Sequence, residues 1–206
     1  DGLTFVDKYF GSYPYDQLRL IEIPHYQEKF YAFPGCIAIS EKEGWYANTS
    51  AMKEKAYLYH TVVSQIIKQY ITANISVANV QGAKMLTDAL PEAIGLQFVF
   101  ETLGADALDI MLQKKNDFYA KEKNTEANTE AVLLYADDAN YLENGKGVIA
   151  VYKLIESIGW DRFNIVLKEW ILTQKGNNLV FKDLYKKCIE LVPETDISTL
   201  KYDFEK

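Results

Sequence analysis

One segment of the chain, residues 61–93, constrains the fold more than any other. Apolar residues recur there every three or four positions, which is the period of an amphipathic helix; they are Val62, Val63, Ile66, Ile67, Tyr70 and Ile71. The pattern breaks at Gly82, and a second helical pattern follows. The sequence therefore predicts a helix, a connection and a second helix, with Thr87 or Asp88 as the N-cap of the second.

The rest of the chain is also mostly helical in pattern. Helical periodicity is present in residues 1–10, 107–119, 146–157, 161–173 and 181–191. Two short runs, residues 17–24 and 35–40, suit strands that could pair as a small ribbon. The polar residues 121–130 indicate a surface loop or a frayed helix end. We therefore predict a mainly α fold (α+β) with a small β element near the N-terminus.

Length and composition indicate an ordinary globular chain. With 206 residues and 49% apolar residues, it is most simply one domain, in which residues 1–50 form a helix plus the β ribbon and residues 51–206 form a helical lobe. There is no run of 18 apolar residues, so the sequence predicts neither a membrane span nor a signal peptide. The abrupt start at Asp1 leads us to expect a segment excised from a longer protein.

Charge and cysteine content exclude some functions. The net charge of −7 argues against a general nucleic-acid binder, which needs a basic surface to neutralise phosphates. Cys36 and Cys188 are far apart and form no C-x-x-C motif, so neither a redox motif nor a zinc ribbon is indicated. We expect two buried thiols, with a disulfide as the alternative.

The chemistry of residues 64–68 depends on their spacing. A zinc-peptidase helix of the H-E-x-x-H type carries two histidines four positions apart on one helix face, with a Glu directly after the first. Ser64, Gln65 and Lys68 occupy this spacing with other side chains. The chain has only two histidines, His25 and His60, which are too few to rebuild such a site.

Several segments resemble a known family. They are "YFGSYPYDQLRLIEIP" (residues 9–24), "ANVQGAKMLTDAL" (78–90), "NGKGVIAVYKLIESIGWDRFNIVLKEWI" (144–171) and "ISTLKYDFEK" (197–206). In their order along the chain they resemble the gluzincin metallopeptidases of the membrane alanyl aminopeptidase type. More narrowly, they resemble the peptidase-like domains fused to ABC transporter permeases. The resemblance implies a thermolysin-like catalytic-domain architecture.

The resemblance implies a site whose first half has lost its chemistry. The first metal-binding His falls on Ser64, the general-base Glu on Gln65 and the second His on Lys68, whereas the family's following Gln is retained as Gln69. A Ser hydroxyl is a poor zinc ligand, and a Lys ammonium repels a cation by about 4 kcal/mol per unit charge at about 4 Å and an effective dielectric near 20. Gln65 has no basic oxygen that could take a proton from water.

The second half of the implied site is altered as well. The third metal ligand, a Glu in the family, falls on Asp88, with Glu92 one turn on as the other candidate. The Tyr that stabilises the tetrahedral intermediate falls on Asn144. Asn144 lacks the reach and the titrating hydroxyl of Tyr. We expect Lys68 to pair with Asp88 and so to fill the former metal cavity with a salt bridge.

These observations lead to a set of expectations about function. We expect a non-catalytic metallopeptidase-like domain without zinc, which acts as an extracytoplasmic binding or structural module of an ABC transporter permease. Its partners would be a peptide or protein in the former active-site cleft and the rest of the transporter. One alternative is a hydrolase in which Ser64 is the nucleophile and Lys68 its base, because the two lie one helical turn apart. Another is that the chain acts beside an intact homologous subunit.

Overall fold

The structure, a computed structural model, describes residues 1–25, 30–123, 130–136, 139–174 and 177–206. These residues form two compact units by their internal contacts. The first unit comprises Asp1–Ala73 and Ile94–Gln113, and the second comprises Asn74–Ala93 and Lys114–Lys206. The expectation of one domain, divided at residue 50, stays a prediction.

Helices make up most of both units, which confirms the predicted mainly α fold class. The helices are α1 (Gly2–Tyr9), α2 (Glu41–Gly44), α3 (Met52–Asn74), α4 (Leu90–Leu103), α5 (Ala105–Lys123), α6 (Val148–Ile158), α7 (Trp160–Thr173), α8 (Phe181–Ile189) and α9 (Glu194–Glu205). The strands are β1 (Arg19–Ile23), β2 (Phe30–Phe33), β3 (Cys36–Ser40), β4 (Ser76–Val77) and β5 (Asn178–Leu179). Two π-helical turns (Met85–Ala89 and Leu142–Gly147) and one 3-10 turn (Leu133–Tyr135) complete the described elements.

The first unit contains a three-stranded sheet in which β3 is central. β1 runs parallel to β3, with Leu20 opposite Ile37, and β2 runs antiparallel to it, with Tyr31 opposite Ala38. The predicted pairing of β1 with β3 is confirmed. The sequence did not predict β2, because its residues "FYAF" are all apolar and show no alternation.

The apolar stripe of α3 enters the core of the first unit. Val63, Ile66, Ile67 and Ile71 are each at most 2% exposed, which confirms the predicted helix. The rings of Phe5 in α1 and Phe98 in α4 meet edge to face in the same core, with their centroids 5.4 Å apart. An aromatic pair of this geometry adds to the stabilisation that apolar burial provides. The described helices include none that is long and apolar enough to cross a membrane.

The side chain of Gln69 ties α3 to the turn before β3. Its Oε1 accepts hydrogen bonds from the Tyr13 hydroxyl at 2.5 Å and from Gly35 N at 3.1 Å, and its Nε2 donates to Cys36 O at 3.3 Å. Burial raises the pKa of Tyr13 to about 12, with smaller contributions from Tyr15 and Cys36, so the Tyr13 hydroxyl keeps its proton at neutral pH. Gln69 is 2% exposed and therefore makes its hydrogen bonds within the protein.

The second unit is organised around the connection between α3 and α4. Strand β4 pairs in parallel with β5, with Val77 opposite Leu179. Gly82 then turns the chain with φ +82°, and a Cβ at this position would lie 2.3 Å from Leu134 O. Any other residue would be strained there and would meet backbone. The predicted break at Gly82 is therefore confirmed.

One local prediction for the second unit differs from the structure. Thr87 and Asp88 do not cap a helix, because they lie inside the π-helical turn Met85–Ala89, which continues directly into α4. For residues 121–130 the sequence predicts a surface loop or a frayed helix end. Residues 121–123 belong to the end of α5, and residues 124–129 lie outside the described residues. The closing segment forms α9, which the periodicity did not indicate.

Replacing Gln69 tests the connection between α3 and the turn before β3. Gln69→Leu should lower the free energy of unfolding by about 2 kcal/mol or more, because the three groups that bond the Gln69 amide would each lose that hydrogen bond. Gln97→Leu is the matched control, since the Gln97 amide bonds only the exposed Glu101 carboxylate at 3.1 Å and should cost under about 0.5 kcal/mol. Urea denaturation measures both, and equal effects would contradict the proposed role of Gln69.

Candidate functional site

Ser64 lies on the buried face of α3, where its hydroxyl is already engaged. The side chain is 1% exposed, and its Oγ donates a hydrogen bond to His60 O one turn earlier at 2.7 Å. Such a bond satisfies a buried hydroxyl within its own helix. At the position where the resemblance places the first zinc ligand, the structure therefore has a buried side chain that is bonded to backbone.

Gly95 of α4 approaches Ser64 closely within the first unit. A Cβ added to Gly95 would lie 2.3 Å from Ser64 Oγ, 3.2 Å from His60 Cδ2 and 3.3 Å from His60 O. A Cβ there would require Ser64 Oγ to turn away and so to give up its hydrogen bond to His60 O. His60 is 2% exposed, so this second histidine of the chain is a packed core residue. His25, the other histidine, lies at 3.3 Å from Ser40 Oγ through its Nδ1.

Gln65 and Lys68 are the other two positions that the resemblance assigns on α3. Both are half-buried. The carbonyl of Lys68 accepts a hydrogen bond from Thr72 Oγ1 at 2.8 Å, so the helix continues regularly past the position of the second ligand. These two side chains carry an amide and an ammonium, neither of which can bind a zinc ion in the way that imidazole does.

Asp88 and Glu92, the two candidates for the third ligand, belong to the second unit. Asp88 is half-buried in the π-helical turn, where Thr87 Oγ1 donates to its Oδ2 at 3.4 Å. Glu92 forms an ion pair with Lys115 in which both side chains are mostly buried. Which of the two corresponds to the third-ligand position stays a prediction. The salt bridge between Lys68 and Asp88 stays a prediction.

Asn144 lies in the other π-helical turn of the second unit, Leu142–Gly147. Its Nδ2 donates a hydrogen bond to Asn140 Oδ1 at 2.6 Å, a contact between two side chains one turn apart. Lys146, two residues on, bonds Glu130 at 2.5 Å. Burial would raise the pKa of Glu130, but hydrogen bonds from Lys146, Tyr119 and Lys123 outweigh it and lower that pKa to about 2. The side chains of Asn144 and Lys146 therefore make polar contacts with neighbouring side chains of the second unit.

Glu143 is a functional candidate that the sequence did not indicate. Its side chain is fully buried, Oε1 accepts from Ala139 N at 3.2 Å, and Oε2 has no hydrogen-bond partner. Burial raises the pKa of this carboxyl, and the charge of Asp88 adds to that effect, whereas two backbone hydrogen bonds and the charge of Lys84 oppose it. A Glu beside an Asn-Gly pair usually indicates an exposed turn, so only the fold could locate it in the core.

An apolar cavity of about 390 Å³ opens in the first unit. Its lining is mostly aliphatic and aromatic and includes Leu20, Trp45, Leu58, Val62, Ile66 and Phe98. The Trp45 side chain at its edge is 48% exposed. Asp1 and Tyr59 also line the cavity. The mostly apolar lining suits an apolar group of a ligand.

The side chains at the predicted positions do not fit a zinc ion. Zinc in proteins is held by Cys, His, Asp or Glu. Within the described part of the chain, no three such residues are close enough together to hold a metal ion. Ser64 bonds a carbonyl, and Lys68 carries a positive charge. Both cysteines are free thiols in the structure, with Cys188 buried and Cys36 half-buried.

Comparisons with known proteins agree with this fold. No protein-family model matches the chain, and no curated protein does. A similar solved structure is a mutant form of the M1 zinc metallopeptidase from Deinococcus radiodurans, with a TM-score of 0.68 and 16% sequence identity. The match covers 98% of this chain and 42% of that protein. At this identity the likeness shows that the chain has a metallopeptidase fold and nothing finer.

The buried carboxyl of Glu143 predicts that the stability of the protein depends on pH. Because the folded protein raises the pKa of this carboxyl, the unfolded chain ionises it first as the pH rises, and the folded state loses stability above about pH 4. Glu143→Gln removes this loss. The stability of the variant relative to the wild type should therefore rise as the pH increases from about 4 to 8.

Denaturation at a series of pH values measures this difference. Glu169→Gln, a neutralisation at an exposed position of α7, is the matched control and should show no such trend. Parallel stability curves for the wild type and Glu143→Gln would contradict a raised pKa of the buried Glu143 carboxyl.

Proposed function

We propose that this chain is a non-catalytic module with a metallopeptidase fold, whose role is to bind a peptide or protein partner. The fold likeness to a zinc metallopeptidase supports the architecture. The altered donors at Ser64, Lys68 and Asn144 support the loss of hydrolysis, since they remove both metal ligands on α3 and the hydroxyl for the tetrahedral intermediate. The apolar cavity of the first unit, with its exposed Trp45, supports a binding role.

The observation that carries this proposal is the state of Ser64. A residue that retained a role in metal or substrate binding would present its polar atom to the ligand. Ser64 Oγ instead donates a hydrogen bond to His60 O, and the residue is 1% exposed. The same observation weakens the alternative hydrolase, because a nucleophilic hydroxyl must reach both its base and the substrate.

The finer part of the proposal places the module on the extracytoplasmic side of an ABC transporter permease. Its support is the resemblance of residues 78–90 and 144–171 to the domains fused to such permeases. The complete open reading frame provides a first test, since hydrophobic spans on the same polypeptide are expected. Copurification of the full-length protein with a nucleotide-binding transporter subunit is the second. A reading frame without spans would remove this part and leave the non-catalytic module intact.

Peptidase assays test the loss of catalysis directly. The wild type, supplied with zinc, should hydrolyse aminoacyl and peptide reporters no faster than buffer, because Gln65 provides no base and α3 provides no ligand. Ser64→Ala and Lys68→Ala should leave that background unchanged. Hydrolysis that a chelator abolishes would overturn the proposal in favour of a metallopeptidase. Metal-independent hydrolysis that either substitution abolishes would favour the Ser64–Lys68 alternative.

A further inference from the structure

The close packing of Ser64 against Gly95 requires a small residue at each of the two positions. Gly95 lies in the interior of α4, where glycine costs about 1 kcal/mol relative to alanine through helix propensity. The structure gives a reason for this cost, since a Cβ at Gly95 would lie 2.3 Å from Ser64 Oγ. Gly95 is buried and Ser64 is 1% exposed, so neither can relieve an overlap by moving into solvent.

His60, one helical turn before Ser64, also lies close to Gly95. Its Cδ2 and its carbonyl oxygen lie 3.2 and 3.3 Å from the Cβ that Gly95 lacks. Side chains one turn apart on a helix lie on the same face, so His60 and Ser64 share the face that Gly95 packs against. The bulky imidazole is thus on residue 60, and the small side chains are on residues 64 and 95.

We infer that position 64 has changed from a ligand position into a packing position. His60, Ser64 and Gly95 now form a packing contact that prevents a zinc ligand from being restored at position 64. Close-packed interiors tolerate added volume poorly. A second imidazole at position 64 would have to share this face with His60 and the backbone of α4. Restoring the ligand side chains alone would then not restore the metal site.

This inference goes beyond the proposed function, because it concerns what the fold can accept and not what the wild type does. If the wild type is inactive but a restored variant binds zinc, the proposed function stands and this inference fails. If the wild type itself holds zinc, the proposed function fails first. The first outcome is measured on the restored variant and the second on the wild type, so the two failures are distinguishable.

A double-mutant cycle tests the contact in the wild-type fold. Gly95→Ala alone should lower Tm by about 5 °C or more, because the overlap with Ser64 Oγ outweighs the gain in helix propensity. In the Ser64→Ala background the same substitution should cost less than half as much, because the overlapping oxygen is gone. The non-additivity is the expected sign of direct coupling.

Thr72 provides the matched control for this cycle. It lies on the same helix and makes the same type of hydrogen bond, from Oγ1 to Lys68 O at 2.8 Å, but it is exposed. Thr72→Ala should leave the effect of Gly95→Ala unchanged. Full additivity of Ser64→Ala with Gly95→Ala would overturn the inference.

The restored variant carries Ser64→His, Gln65→Glu, Lys68→His and Asp88→Glu together. Native mass spectrometry in the presence of zinc should show no stoichiometric metal, and thermal unfolding should show a lower Tm than that of the wild type. Ser64→His alone should lower Tm, whereas Thr72→His should not. One bound zinc per chain with a raised Tm would overturn the inference. If the restored variant does not fold, the double-mutant cycle tests the inference, and full additivity overturns it.

Discussion

The requirement that buried polar side chains find hydrogen-bond partners inside the protein governs how α3 is used. Three of the buried polar residues in the described structure, His60, Ser64 and Gln69, lie on this one helix. Ser64 bonds the backbone of its own helix, and Gln69 bonds the turn before β3. An unpaired polar group in the core costs about 1–3 kcal/mol. The polar side chains of Ser64 and Gln69 are therefore engaged in hydrogen bonds within the protein.

The contacts that hold this fold together are compatible with the proposed non-catalytic module. The apolar stripe of α3 and the Gln69 contacts hold the helix in the first unit, and neither depends on a metal ion. Where the family has its first ligand, the chain has Ser64 against Gly95, a contact that needs two small side chains. In the second unit, Asp88 and Asn144 lie in π-helical turns with local partners. π-helical turns often mark functional sites, but here the side chains in them no longer match a zinc peptidase.

The sequence predicted the parts of the fold that depend on periodicity. The stripe from Val62 to Ile71 predicted α3, and the alternation in residues 17–24 predicted β1. It did not predict the π-helical turn Met85–Ala89, because Thr87 and Asp88 have the side chains of an N-cap and only tertiary packing extends the helix through them. It did not predict the burial of Glu143, because a charged residue before Asn-Gly is typical of an exposed turn. The interior Gly95 was the one local signal of the contact with Ser64.

The central proposal is that the chain shares the fold of part of a zinc metallopeptidase but does not bind the metal. Metal analysis of the purified wild type, after incubation with zinc and removal of the excess, tests this most directly. The account predicts no stoichiometric zinc and no zinc-dependent rise in Tm. One tightly bound zinc per chain, lost on Asp88→Ala, would contradict it.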